Sequence, residues 1–152
     1  MLKHLTDESL IRLGIEATDW EDAIRQAAEP LKEQGKITQG YIDGIIRNME
    51  EAGPYFVLAP HIALPHTRPE EGALQSAIGI ATLKTPVAFG SESNDPVKYL
   101  FCLSSTDNEG HLQALIDLAA WMENDAFYHL LNSATDPKEV MGFLQNNDGK
   151  EE

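Results

Sequence analysis

A mixed β-sheet with helices on both faces, built as a single α/β domain, is the fold class this sequence predicts. Three observations point to it. Two apolar runs, Ser76–Leu83 and Val97–Ser104, are long enough and apolar enough for buried strands. The helix-type segments carry apolar stripes that need a sheet to cover them. The 152 residues, 42% hydrophobic and 24% charged, suit one ordinary domain with a real core, and no internal repeat or composition shift marks a second. The domain is placed at residues 1–147, with a flexible charged tail over 148–152.

From the N-terminus, Thr6-Asp7-Glu8 caps a short first helix. Ile11, Leu13 and Ile15 alternate with Arg12, Gly14 and Glu16, the pattern of a half-exposed strand. Thr18 with Glu21 forms a capping-box pattern and opens a helix with Trp20, Ala23, Ile24, Ala27 and Leu31 along one face. Pro30 predicts a kink or an irregular last turn before Gly35. Thr38 caps a second helix with the stripe Ile42, Ile45, Ile46 and Met49, stopped near Glu51 by Gly53-Pro54. Tyr55–Ala59 reads as a buried strand. Pro86–Phe89 reads as a short edge strand or turn arm, limited by its proline. Gly90–Pro96 and Ser105–Gly110 are polar loops around Val97–Ser104, the strongest strand in the chain. His111–Glu123 is a helix with His111, Leu115, Leu118 and Met122 on one face and Leu112, Ile116 and Ala119 beside it; so broad an apolar surface predicts deep packing against a sheet. Asp125–Asn132 is a shorter helix. Asp136-Pro137-Lys138-Glu139 opens the last one in the preferred capping order, with Val140, Phe143 and Leu144 facing inward.

Composition removes several function classes. A formal net charge of -14 argues against a general binder of nucleic acid or anionic membranes. The single cysteine, Cys102, excludes an internal disulfide, fits a reducing compartment and, lying within Tyr99–Leu103, reads as a buried inert thiol. The N-terminus shows neither a long apolar core nor a small-residue cleavage site, so a cytoplasmic location is expected. Neither a GxxxxGK[ST] loop nor GxGxxG nor GxSxG is present, so a protein that binds and spends its own nucleotide is not expected, whereas one that relays a group between proteins is compatible.

The stretch Gly53–Gly72, GPYFVLAPHIALPHTRPEEG, holds four prolines, two histidines and an arginine. Proline fixes its own φ and restricts the residue before it, so Leu64, Pro65, Arg68 and Pro69 have little backbone freedom around His66. A stiffly held imidazole titrating near neutral pH suits a nucleophile or base. A phosphoryl group on it would need donors, and Thr67, Arg68 and backbone N–H groups are at hand. The alternative is a structural histidine bonded to backbone. His111 is the second candidate: a helix starting there would aim free N–H groups and its positive dipole end at a neighbouring anion. The alternative is a polar residue at a helix start. His61, His66 and His111 invite a zinc site, but the HxxxxH spacing matches no standard pattern and Cys102 lies in a strand. Arg47 is read as solvent-facing with Glu50 or Glu51 as partner, and Glu70 and Glu71 as a solvated pair.

The strings I-A-L-P-H at Ile62–His66, D-P-V at Asp95–Val97 and H-L-Q-A-L at His111–Leu115 resemble the IIA component of the bacterial sugar phosphotransferase system, mannitol/fructose type. The longer Gly53–Gly72 string is more similar to the ascorbate-type branch. The resemblance covers almost the whole chain. It implies a phosphotransferase of the relay kind, needing no cofactor or metal. His66 would take a phosphoryl group from the phosphocarrier HPr and pass it to a cysteine of the cognate EIIB, with the membrane component EIIC engaged only indirectly. His111 would hydrogen-bond the phosphoryl group, with Arg68 and Thr67 in support. Mannitol-type relatives carry an active-site arginine on the preceding helix; Arg47 is off that spacing and Glu50 stands at the ungapped position, so the choice between Arg47 and Arg68 stays open. His61 stands where a small residue is expected. The sugar, ascorbate by resemblance, and a homodimer also stay open. The alternatives are a regulatory module of the same fold, controlling a partner through its phosphorylation state, and a metal-dependent hydrolase using His61, His66 and His111.

Overall fold

The computed structural model describes residues 2–147, so the expected tail at 148–152 lies outside the described residues. Five strands form one mixed sheet: β1 (Ile11–Ile15), β2 (Val57–Ala59), β3 (Ile62–Ala63), β4 (Ala77–Val87) and β5 (Val97–Ser104), in the spatial order β1-β4-β5-β3-β2. β1 runs parallel to β4, β4 antiparallel to β5, β3 parallel to β5, and β2 antiparallel to β3. Helices α1 (Trp20–Glu33) and α2 (Gln39–Ala52) cover one face. Helices α3 (Asn108–Met122), α4 (Asp125–Ser133) and α5 (Pro137–Asn147) cover the other.

The central strands divide their side chains between two cores, as a period of two requires. Ala77, Ala81, Leu100 and Cys102 face α1 and α2, whereas Ile78, Ile80, Tyr99, Phe101 and Leu103 face α3 to α5. The first set is mostly small, and this lets α1 lie close. A Cβ on Gly79 would stand 2.5 Å from Leu31 Cδ1. Larger residues fill the second core, where Trp121 and Phe127 are fully buried. No helix among the described residues is long and apolar enough to cross a membrane.

Several sequence expectations shift. The cap of α1 is Asp19, which accepts from the Asp22 N–H at 2.8 Å; the Asp22 carboxylate reaches back to the Thr18 N–H at 3.0 Å, so the reciprocal pair sits one residue later than Thr18 with Glu21. α1 runs through Pro30 to Glu33. A proline near the last turn removes one ladder bond, and the ring is buried in compensation. The helix then closes in a Schellman arrangement, Lys36 N–H to Leu31 C=O at 2.8 Å and Gly35 N–H to Lys32 C=O at 3.0 Å, with Gly35 at φ 74°. β4 likewise runs through Pro86 to Val87, because the register slips between Thr82 and Val87 and the proline there need not donate. The Tyr55–Ala59 segment is not a buried strand: β2 lies at the sheet edge and leaves Leu58 54% exposed. Nor is α3 buried on its whole apolar surface: Leu112 and Ile116 are 60% and 55% exposed.

Candidate functional site

β3 and β5 are neighbouring parallel strands, so their C-terminal ends open on the same edge of the sheet. The chain leaves β3 as the Leu64–Gly72 segment and leaves β5 toward α3. This topology, in which ligands gather at strand carboxyl ends, brings His66 and His111 together. Their ring centroids are 5.3 Å apart, with the planes tilted by 53°.

The loop carrying His66 is pinned on several sides. The Leu103 N–H donates to Pro65 C=O at 3.0 Å, extending the β5 ladder into the loop. The His66 ring lies 2.7 Å, through Nδ1, from the Leu64 carbonyl oxygen. A carbonyl only accepts, so Nδ1 carries the proton and, in the neutral ring, Nε2 keeps a free lone pair. The Tyr55 hydroxyl donates to the His66 carbonyl at 2.8 Å, and the Tyr55 ring meets the imidazole edge to face at 5.8 Å. Tyr41, almost fully buried, donates through its hydroxyl to Leu103 C=O at 2.7 Å and accepts the Thr67 N–H at 3.3 Å. Burial raises the Tyr41 pKa well above the ordinary phenol value, so the hydroxyl keeps its proton for this bond.

Thr67 is buried at 7% exposure, and its hydroxyl oxygen accepts from Asn48 Nδ2 at 2.6 Å. With Thr67 N–H spent on Tyr41, only the Thr67 hydroxyl proton is left for a ligand. Arg68 is exposed. Both arginines border one open pocket of about 550 Å³, shared with Asn48, Tyr55, His66 and His111. The carboxylate partner of Arg47 is neither Glu50 nor Glu51 but Glu71, at 2.9 Å.

His111 differs from the expectation. α3 starts at Asn108, and Asp107 caps it by accepting the Gly110 N–H at 2.6 Å. The polar loop is therefore shorter than Ser105–Gly110, and His111 lies a turn inside the helix, with its own N–H bonded to Asp107 C=O at 3.1 Å. Asp107 occupies the helix end expected to serve an anion, which leaves His111 only its side chain to offer a ligand. Desolvation, followed by the charge of His66, lowers the His111 pKa. The His111 ring is thus largely neutral at pH 7 and can donate from one nitrogen while accepting at the other.

His61 sits in the β2–β3 turn at φ 71°, with Nδ1 2.8 Å from Pro96 C=O, and among the described residues no three His, Cys, Asp or Glu side chains are grouped as metal ligands. A left-handed backbone explains why a small residue is expected at position 61. Sequence reasoning missed Asn48, Tyr41 and Glu71 at the site. A trace of Asn48 was present, as a polar residue beside the apolar stripe of α2; Glu71 looked like any surface carboxylate.

The profile of the family described as phosphoenolpyruvate-dependent sugar phosphotransferase system, EIIA 2, matches residues 4–147. SgcA of Escherichia coli (strain K12) is 41% identical over 120 residues, 79% of this chain and 84% of that protein. The ascorbate-specific PTS system EIIA component of Salmonella typhimurium (strain LT2) is 32% identical over 141 residues, 92% of each chain. The fold overlays on enzyme IIAMTL in its complex with phosphorylated enzyme IIBMTL from Escherichia coli with a TM-score of 0.79, at 25% identity, covering 93% of this chain and 97% of that one. The chain therefore belongs to the EIIA type 2 family of the sugar phosphotransferase system, and it is a phosphotransferase component of the relay kind.

Proposed function

We propose that this protein carries a phosphoryl group on His66 Nε2, taken from HPr and handed to a cysteine of a cognate EIIB. The observation that carries the reading is the pairing of His66 and His111 at 5.3 Å, with Nδ1 of His66 tied to a carbonyl. In the first transfer, the Nε2 lone pair forms the N–P bond while the donor's N–P bond breaks and returns its pair to the donor imidazole. Nδ1 keeps its proton on Leu64 C=O, which spreads the positive charge of the phosphorylated ring. In the second transfer, a thiolate sulfur of EIIB attacks phosphorus in line and the bonding pair returns to Nε2. Each step exchanges one high-energy linkage for another, so positioning and charge stabilisation are the main requirements. His111, the Thr67 hydroxyl and Arg68 supply donors to the phosphoryl oxygens.

Docking in this reading uses the rim of the pocket. Leu112 and Ile116 lie exposed one and five residues beyond His111 on α3, which suits an apolar partner surface. The sugar proposed is ascorbate, on the strength of relatives about a third identical to this chain. HPr as donor, EIIB as acceptor and a cytoplasmic location follow from the same reading, because those partners are met in that compartment.

The test is incubation with phosphoenolpyruvate, enzyme I and HPr, followed by mapping of the modified residue. The expected product is an acid-labile, base-stable phosphorylation that disappears in His66→Ala. His111→Ala should accept the group but pass it on poorly. Modification at another residue, or label that never reaches any EIIB, would overturn the carrier role; the second result is the one a purely regulatory module would give.

A further inference from the structure

We infer that Glu71 is a positioning residue that holds Arg47 at the pocket wall and so limits how firmly the site grips a phosphoryl group. This rests on the reading of His66 as the phosphoryl acceptor.

The placement of Glu71 is built into the fold. The turn Pro69–Glu71 lies directly on α2, over Gly40 and Gly44, one helical turn apart on the same face. A Cβ on Gly44 would come within 3.1 Å of Glu71 Oε2, and one on Gly40 within 3.2 Å of the Glu71 carbonyl oxygen. Gly44, inside the helix, weakens it by about 1 kcal/mol relative to alanine, and its missing side chain leaves room for the Glu71 carboxylate, while Gly40 leaves room for the backbone of the turn. Arg47 follows Gly44 by three residues, on the same side of the helix, and its Nη2 donates to Glu71 Oε2 at 2.9 Å. The Glu71 side chain is the better buried of the two, 31% exposed against 51% for Arg47. The carboxylate is therefore the fixed partner and the guanidinium the adjustable one.

Both groups border the pocket that holds His66, Arg68 and His111. The pocket thus contains two guanidiniums in different states: Arg68, exposed beside the histidine, and Arg47, with its charge shared by Glu71. A carrier must release what it accepts. A site holding a dianionic phosphoryl group with two unopposed guanidiniums would be a sink, and the paired carboxylate offsets one of them. Arg47 keeps donors beyond the one given to Glu71, because guanidinium has five. It can contact the phosphoryl group without leaving its partner.

Removing the carboxylate charge while keeping the shape tests this. With limiting phosphorylated HPr, Glu71→Gln should raise the equilibrium phosphorylated fraction, with the exchange constant up about two- to fivefold, as expected for one partly exposed charge pair. Transfer from the phosphorylated variant to the EIIB thiol should slow by a similar factor. Arg47→Gln should lower the phosphorylated fraction. Glu70→Gln removes the same charge from the neighbouring exposed residue and should leave both quantities at the wild-type level. A purely structural role for Glu71 would lower the melting temperature without driving acceptance and release in opposite directions. Glu71→Gln indistinguishable from Glu70→Gln, or acceptance falling together with release, would overturn the inference while leaving the relay intact. Failure of the wild type to be phosphorylated at His66 would overturn both.

Discussion

In the proposed relay, few interactions define His66 as the nucleophile. One hydrogen bond to the Leu64 carbonyl fixes which nitrogen is free, and the hydroxyl of Tyr55 holds the backbone behind it. His111 brings a pH dependence with a definite sign. Its pKa lies below the unfolded value of about 6.5, chiefly through desolvation. Between the folded and unfolded values the unfolded chain binds more protons, so stability rises with pH across that window and is lost as pH falls through it. Urea midpoints measured from pH 5 to 8 should drop toward the acid end. In His111→Gln that part of the drop should vanish, and an unchanged profile would place the titration elsewhere. Cys102 is the opposite case: full burial pushes its thiol up to about 12, so it is the inert core residue its neighbours predicted. Cys102 was legible because an uninterrupted apolar run is buried on both faces once it forms a central strand. Glu71 was not, because its partner lies 24 residues away, with β2, β3 and the His66 loop between them.

At the scale of elements, the joint between α2 and the turn after Arg68 carries the most consequence. Thr38 caps α2 by accepting the Tyr41 N–H, and its N–H donates to Gly72 C=O at 3.0 Å. Gly72 has φ 143°, and a Cβ there would meet Thr38 Oγ1 at 1.9 Å. Thr38→Ala should cost about 1 kcal/mol, the usual loss for a helix cap. Gly72→Ala should cost more, since backbone strain adds to the displaced cap. The double variant should fall short of the sum, because both changes break the same contact; denaturant midpoints of the three variants would show it, and strict additivity would argue against the coupling. α2 was readable from Thr38 to Gly53 because its stop signals are local. β2 was read as a strand within Tyr55–Ala59 but placed as buried, and β3 was not read, since strands of three and two residues take their position only from pairing with one another and with β5.

The molecule as a whole presents a strongly acidic surface, with a formal net charge of -14. If docking of HPr uses that surface against basic residues of the donor, the rate of phosphorylation should fall as salt rises from about 50 to 300 mM, since exposed charges separated by more than a Debye length are screened. A flat dependence would remove electrostatic steering. The exposed part of α3 gives a complementary test. Leu112→Ser with Ile116→Ser should leave thermal stability nearly unchanged, as surface substitutions usually do, while slowing phosphoryl exchange with either partner. Unchanged exchange would separate the apolar rim from docking.

By itself the sequence determined the periodicities, most stop signals, the inert thiol and the two histidines worth following, because each is written in residues close along the chain. Only the tertiary structure decided that β3 and β5 run side by side, so that His66 meets His111, that Asp107 already caps the helix end, that half of the apolar face of α3 looks outward, and that Glu71 reaches Arg47. Those are contacts between segments far apart in sequence. They depend on strand order and on the close packing that glycines permit, and neither is encoded within any one local window.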